Sequence, residues 1–386
     1  MPTSISKNFL YRLALPVFAP HVSFKKHMVF EGVPLTDVRT LTACIQKNRI
    51  SGSAICLKSG ISESYIFSPA FHTSVFPDNN TYFRVASITK MATALIAVIL
   101  FDKGILDPDA FLSDLLPDSS GTVELRGIKI RHLLSHTSGL TDPPNLEELL
   151  TDQRHWRDAV SERNIAVPGN EFHYSNLGYG LLGCVFEAVL QLSIEDIFQK
   201  FLCVPLGMQA TLSAASLNAG QIMPVVRILP YRPGSALTHT KLGNIIPGPP
   251  DPSLHYGYTA GSMYINLPSL LKLILCIRNN CHPLVSEKFG NYMKSIISSY
   301  GKISPTLSYG SGLLVIQDKK ISDGPVFGHQ GFAYGCVDGA FWEESTGRII
   351  LSLNGGCSEA RKGRLGIANY DLCRWAFRKE MPGWKS

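Results

Sequence analysis

In residues 34–48 (PLTDVRTLTACIQKN) the apolar positions Leu35, Val38, Leu41 and Ile45 share one helical face, behind Pro34 near the helix start. The pattern then shortens: SGSAICLKSG and SESYIFS are two β-type runs around a Ser-Gly turn and predict a hairpin or meander. MATALIAVILF, residues 91–101, is apolar almost without break. It predicts a buried helix that opens at Ser87 and stops at Lys103-Gly104, a basic last turn and a C-terminal glycine. From about 111 to 225, IKIRHLLSHTSGL, LEELLTDQRHWRDAV, YGLLGCVFEAVLQL and IEDIFQKFLCVPLGM suit helices joined by Pro/Gly turns. Residues 230–258 are too rich in proline for regular elements and predict a long functional or mobile loop. SLLKLILCI resumes as helix. YGSGLLVIQ, GCVDGAFWEE and GRIILSLNG read as strands, and YDLCRWAFRK as a final helix.

Strands at both ends of the sequence with helices between them imply a discontinuous α/β domain of residues 31–110 and 255–386. A mainly helical domain, 111–254, is inserted in it, and residues 1–30 form an extension. The cleft between the two domains is the expected place for a site. A length of 386 residues is ample for such a core.

Charge adds an exclusion. The net charge of +6 comes from 36 basic against 30 acidic residues, and the basic ones are dispersed with no aromatic residues interleaved, which argues against nucleic-acid binding. Nine cysteines without a CxxC pair read as buried thiols in a reducing compartment. His132 and His136 have the i, i+4 spacing of a zinc pair, but no glutamate lies between them and no third ligand is near, so both read as structural and no metal is expected. The first 30 residues hold four basic residues and no acidic one, and their apolar part is broken by Arg12 and Pro16. That is a poor signal-peptide core and too short to span a bilayer. A packing arm is expected there, with an organelle transit segment as the alternative. Asp102 and Lys103 end the most apolar run short of spanning length.

Three short motifs carry the chemistry. Ser87 and Lys90 stand three apart at a helix start, so amine and hydroxyl share a face. Serine needs a base to become a nucleophile, and a lysine desolvated by the apolar run behind it can be that base. The bland alternative is a capping serine beside a snorkelling lysine. Tyr174 and Asn176 stand at the mouth of the next helix, where a tyrosinate can relay the serine proton and the amide can hold Lys90 and a substrate carbonyl. His329 and Gly331 lie in FGHQGFAYG, whose glycines would let substrate approach a strand edge, and the Phe332 amide can pair with that of Ser87 as an oxyanion hole. His329 could hold a substrate carboxylate or bond the tyrosine.

SxxK, YxN and [KH]xG in that order, 87 and then 155 positions apart, resemble the serine β-lactamase and penicillin-binding-protein superfamily. The tyrosine points to class C-type β-lactamases, DD-peptidases and related esterases. IRHLLSHTSGL (130–140), VPLGMQAT (204–211), YTAGSMY (258–264) and YGSGLL (309–314) are similar to that group as well. The resemblance implies an α/β plus all-α fold, an antiparallel sheet flanked by helices with an inserted helical domain. It also implies Ser87 as acylated nucleophile, Lys90 and Tyr174 as its general-base pair, and Asn176, His329, Gly331 and Phe332 as substrate-binding. No cofactor is implied.

Two departures shape the expected function. The third motif has histidine where most true β-lactamases have lysine, and no convincing secretion signal is read. Both favour an intracellular, cytoplasmic serine hydrolase of a small-molecule ester, amide or thioester over cell-wall or antibiotic work. An acyltransferase similar to the lovastatin type has the same residues. A catalytically silent binding or scaffold protein is the rival from another class. The oligomeric state is not legible.

Overall fold

In the computed structural model, residues 5–18, 28–160, 166–232 and 248–378 are described. The middle of the proline-rich loop lies outside them. Nine strands form one antiparallel sheet: β1 (Val29–Glu31), β2 (Ser51–Ser59), β3 (Ser62–Ser68), β4 (Ser298–Ser299), β5 (Leu307–Tyr309), β6 (Leu314–Ile316), β7 (Val326–Ala333), β8 (Cys336–Glu343) and β9 (Ile349–Gly356). Their order is β1-β3-β2-β9-β8-β7-β6-β5-β4. The early hairpin therefore joins the late strands through β2 and β9, with Ile55 opposite Ser352.

The sheet is covered on both faces. In β8 and β9, Ala340, Trp342, Ile349, Leu351 and Leu353 join one hydrophobic cluster, while Phe341 and Ile350 join the other. Such strands read as nearly continuous apolar runs because neither face meets water. The first cluster includes α3 (Thr89–Asp102), α4 (Asn176–Leu190) and α5 (Leu267–Arg278). The second includes α2 (Leu35–Lys47) and α6 (Ile367–Arg378). Residues Ile5–Phe18 form helix α1, where Asn8 bonds the main chain of Arg361 in both directions and the Tyr11 hydroxyl accepts from the Glu359 amide.

α3 is apolar all round because it is buried all round: every residue from Thr89 to Phe101 is buried. It begins later than the sequence predicts. Ala86–Ile88 is a 3₁₀ turn, and Thr89 is the first α-helical residue. YGSGLLVIQ is likewise two strands rather than one. Gly312, at φ +75°, turns the chain between β5 and β6, and a Cβ there would lie 2.4 Å from Ala94 Cβ of α3. All nine cysteines are buried and unpaired. Among the described residues no single helix is long and apolar enough to cross a membrane.

Candidate active site

A small sheet that the sequence pattern does not signal carries the chain into the site. Phe83–Arg84 pairs with Tyr264–Ile265, and the Val85 amide donates to Met263 O at 3.0 Å. Ala86 then takes φ +44°, an uncommon conformation for a residue with a side chain. Thr89 Oγ1 closes the turn by donating to Ala86 O at 2.6 Å and accepting from the Met263 amide at 3.1 Å. Ser87, partly exposed, sits on this pinned turn.

Lys90 is fully buried. Its Nζ lies 3.1 Å from Ser87 Oγ, 2.8 Å from Asn176 Oδ1 and 2.6 Å from Ala260 O. Two of these three neighbours can only accept. A neutral amine spends its two N–H groups on them and directs its lone pair at Ser87; an ammonium fills all three. Burial brings the amine from its ordinary 10.5 down to about 7, and the nearby Asp142 carboxylate offsets part of that fall. The Tyr174 hydroxyl donates to the same Ser87 Oγ at 2.9 Å.

α4 delivers Tyr174 and Asn176. Ser175 caps it, accepting from the Gly178 amide at 2.9 Å. Asp142 accepts from the Leu177 amide at 2.9 Å, from Ser175 Oγ at 3.2 Å and from Asn176 Nδ2 at 2.7 Å. The carboxylate thus turns the Asn176 oxygen toward Lys90. Asp142 and Ala260 are missed by motif reading: Asp142 stands two residues beyond IRHLLSHTSGL, and Ala260 contributes only its backbone.

Tyr174 differs from expectation. Burial, and next the charge that Tyr300 would carry, hold its hydroxyl well above the ordinary tyrosine range, so it rests as a phenol and not a phenolate.

His329 differs too. It is 3% exposed, and both ring nitrogens are engaged. Nδ1 lies 2.7 Å from Gln330 O, which can only accept, so Nδ1 carries the proton and Nε2 accepts from the Tyr309 hydroxyl at 3.0 Å. Burial, then the Lys90 charge, depresses its pKa to about 3. The tyrosine it meets is Tyr309, not Tyr174. A neutral, enclosed imidazole is no anchor for a substrate carboxylate.

The glycines of this motif make room for protein, not substrate. A Cβ on Gly331 would lie 2.3 Å from Val85 O, so β7 runs directly against the turn that bears Ser87. Cβ atoms on Gly328 and Gly335 would meet the carbonyls of Ala340 and Val226. Beyond Gly328, β7 has no paired strand on its β6 side among the described residues. Phe332 stands opposite Val337, whose own N–H and carbonyl turn to the Asn354 side chain on the β9 side. The Phe332 N–H therefore points to the open edge, away from β8. Its ring lies under the Arg361 guanidinium at 3.6 Å.

The structure thus brings Ser87, Lys90, Tyr174 and Asn176 into one hydrogen-bonded group. Gly331 backs that group, and His329, on the same face of β7 as Gly331, is enclosed in contact with Tyr309.

Residues 72–338 match the family model described as Beta-lactamase. The chain is 30% identical over 179 residues to penicillin-binding protein 4* of Bacillus subtilis, covering 43% of this chain and 38% of that protein. It is 32% identical over 151 residues to the monacolin J acid methylbutanoyltransferase of Aspergillus terreus, covering 32% of this chain and 36% of that protein. The matches therefore span well under half the length of these curated relatives. Among solved structures, EstCE1, a hydrolase with promiscuous acyltransferase activity, shares the fold with a TM-score of 0.66 at 20% identity, covering 88% of this chain and 98% of that one. With a family model matched over more than half its length and the antiparallel, helix-flanked sheet of its structural neighbours, the chain belongs to the β-lactamase family of serine hydrolases and acyltransferases.

Proposed function

We propose that the protein is a serine hydrolase that takes the acyl group of a small ester, amide or thioester onto Ser87 and releases it to water. The observation that carries this reading is the position of Ser87 Oγ, 3.1 Å from Lys90 Nζ and 2.9 Å from the Tyr174 hydroxyl. Neutral Lys90 takes the Ser87 proton as Oγ bonds to the substrate carbonyl carbon. The Ser87 and Phe332 amides receive the developing oxyanion. As the tetrahedral intermediate collapses, Tyr174 gives its proton to the leaving atom. The phenolate so formed holds a proton far more tightly than an amine of pKa about 7, so the proton on Lys90 refills it. Water then repeats the sequence on the acyl-enzyme. Asn176 holds Lys90 and the substrate, and His329 braces the wall beside them through Tyr309. No cofactor enters any of these steps.

An acyltransferase uses the same groups with another acceptor in place of water. Similarity to a methylbutanoyltransferase and to a hydrolase with acyltransferase activity favours keeping it as the second reading.

The test is intact-protein mass spectrometry of the native chain and Ser87→Ala after exposure to a fluorophosphonate and to short p-nitrophenyl esters and thioesters. A stoichiometric adduct on the native chain alone is expected. Adduct lifetimes with and without added alcohols or amines separate hydrolase from transferase. A folded sample that forms no adduct would leave the catalytically silent scaffold as the reading.

A further inference from the structure

We propose that His136 is a positioning residue for Tyr174, holding the phenol over Ser87 by clamping the backbone on both sides of it. The proposal rests on the Ser87 acyl-transfer reading above.

His136 follows the short helix Ile130–Leu134 and adopts φ +56°. Its carbonyl accepts from the His173 amide at 2.7 Å, and its Nδ1 accepts from the Ser175 amide at 3.2 Å. The residues immediately before and after Tyr174 are thus tied to one side chain and its own backbone. The imidazole also packs on the Tyr174 ring, with centroids 4.2 Å apart and planes tilted by 34°. Two further rings, Tyr309 at 4.7 Å and Tyr179 at 4.9 Å, complete the enclosure.

The protonation state follows from the partners. A backbone N–H only donates, so Nδ1 is the acceptor and the proton sits on Nε2. Nε2 is buried and has no hydrogen-bond partner among the described residues. A buried donor without an acceptor is destabilising, a cost that an apolar side chain of similar size would avoid. An apolar side chain would leave the Ser175 amide unsatisfied, and a small polar one would leave the Tyr174 ring unsupported. Histidine meets both needs at once. Burial, with the Lys90 charge next, keeps the ring neutral, so the clamp holds while Lys90 titrates.

A double-mutant cycle on the Ser87 acylation rate tests this, using the native chain, His136→Asn, Tyr174→Phe and the double variant. Asparagine tolerates positive φ and offers an oxygen to the Ser175 amide, but it has no ring. The expected result is about 10- to 100-fold slower acylation when Tyr174 is present, and less than about threefold when Phe replaces it, because there is then no hydroxyl to misplace. A generic loss of folding would slow both backgrounds alike. Equal losses in the two backgrounds, or no loss in either, would overturn the proposal. His136→Gln takes the place of His136→Asn if the latter does not fold. A native chain that forms no Ser87 adduct sinks the site reading and this proposal together; a native adduct with an additive cycle sinks this proposal alone.

Discussion

Asp142 accepts from Asn176 Nδ2 at 2.7 Å, and Asn176 Oδ1 accepts from Lys90 at 2.8 Å. Because a carboxylate only accepts, Asp142 decides which end of the amide faces the lysine. Asp142→Asn removes that instruction and the negative charge that supports ammonium at Lys90. Its acylation pH profile should rise at lower pH than the native profile, with a plateau about tenfold lower. A profile that falls in height without moving would reduce Asp142 to a helix cap.

In the proposed mechanism Lys90 is the base only when neutral, so native acylation should increase once, through about pH 7. Tyr174 ionises well above its ordinary range and should impose no falling limb near pH 10. Stopped-flow acylation from pH 5 to 10 reads both. A midpoint set by a group other than Lys90 would survive in Lys90→Met at reduced amplitude.

The same burial has a signature in stability. The Lys90 pKa is lowered on folding, from 10.5 to about 7, so between these values the unfolded chain binds a proton that the folded one does not. Stability from this group therefore rises with pH across that window, and below pH 7 the full cost of burying the charge is present. That cost is at most about 5 kcal/mol. Urea unfolding of Lys90→Met and the native chain should show the variant's relative stability greatest at pH 6 and shrinking by a few kcal/mol toward pH 10. A constant difference would mean that Lys90 keeps an ordinary pKa.

Gly331→Ala places a methyl group 2.3 Å from Val85 O, where neither backbone has slack. A loss of about 2 kcal/mol or more is expected, together with slower acylation, as β7 is pushed off the Ser87 turn. Thermal unfolding and the acylation rate measure the two effects, and an unaltered melting temperature would contradict the close packing.

His329 is neutral, with a pKa of about 3, so its replacement should not distinguish charged substrates from uncharged ones. Esters with and without a carboxylate should lose rate by the same factor in His329→Gln. A selective rise in KM for the carboxylate ester would restore the substrate-anchoring role that the residue type suggests.

What was legible in the sequence was whatever one segment states by itself. Ser87 and Lys90 are a turn apart in one short stretch of chain, and the apolar run behind them announces the burial that lowers the lysine pKa. Two-faced burial of β8 and β9 shows in the apolar runs 340–342 and 349–351. The environment that other segments supply was hidden. The phenol state of Tyr174 and the enclosure of His329 and His136 arise from rings contributed by residues 172–179, 300, 309 and 329. The role of Gly331 likewise depends on Val85, which meets it only in three dimensions.

The pairing of β2 with β9 sets a timetable. Ile55 and Ser352 lie at opposite ends of the chain, and a ladder between such distant segments is late and slow to form. β7, which presses on the Ser87 turn, is held by β8, and β8 by β9. As the chain leaves the ribosome, Ser87 and Lys90 are present long before the strands that make them a site. Through most of synthesis the serine is an ordinary alcohol in water, and its hydrogen-bonded surroundings are complete only with closure of the sheet.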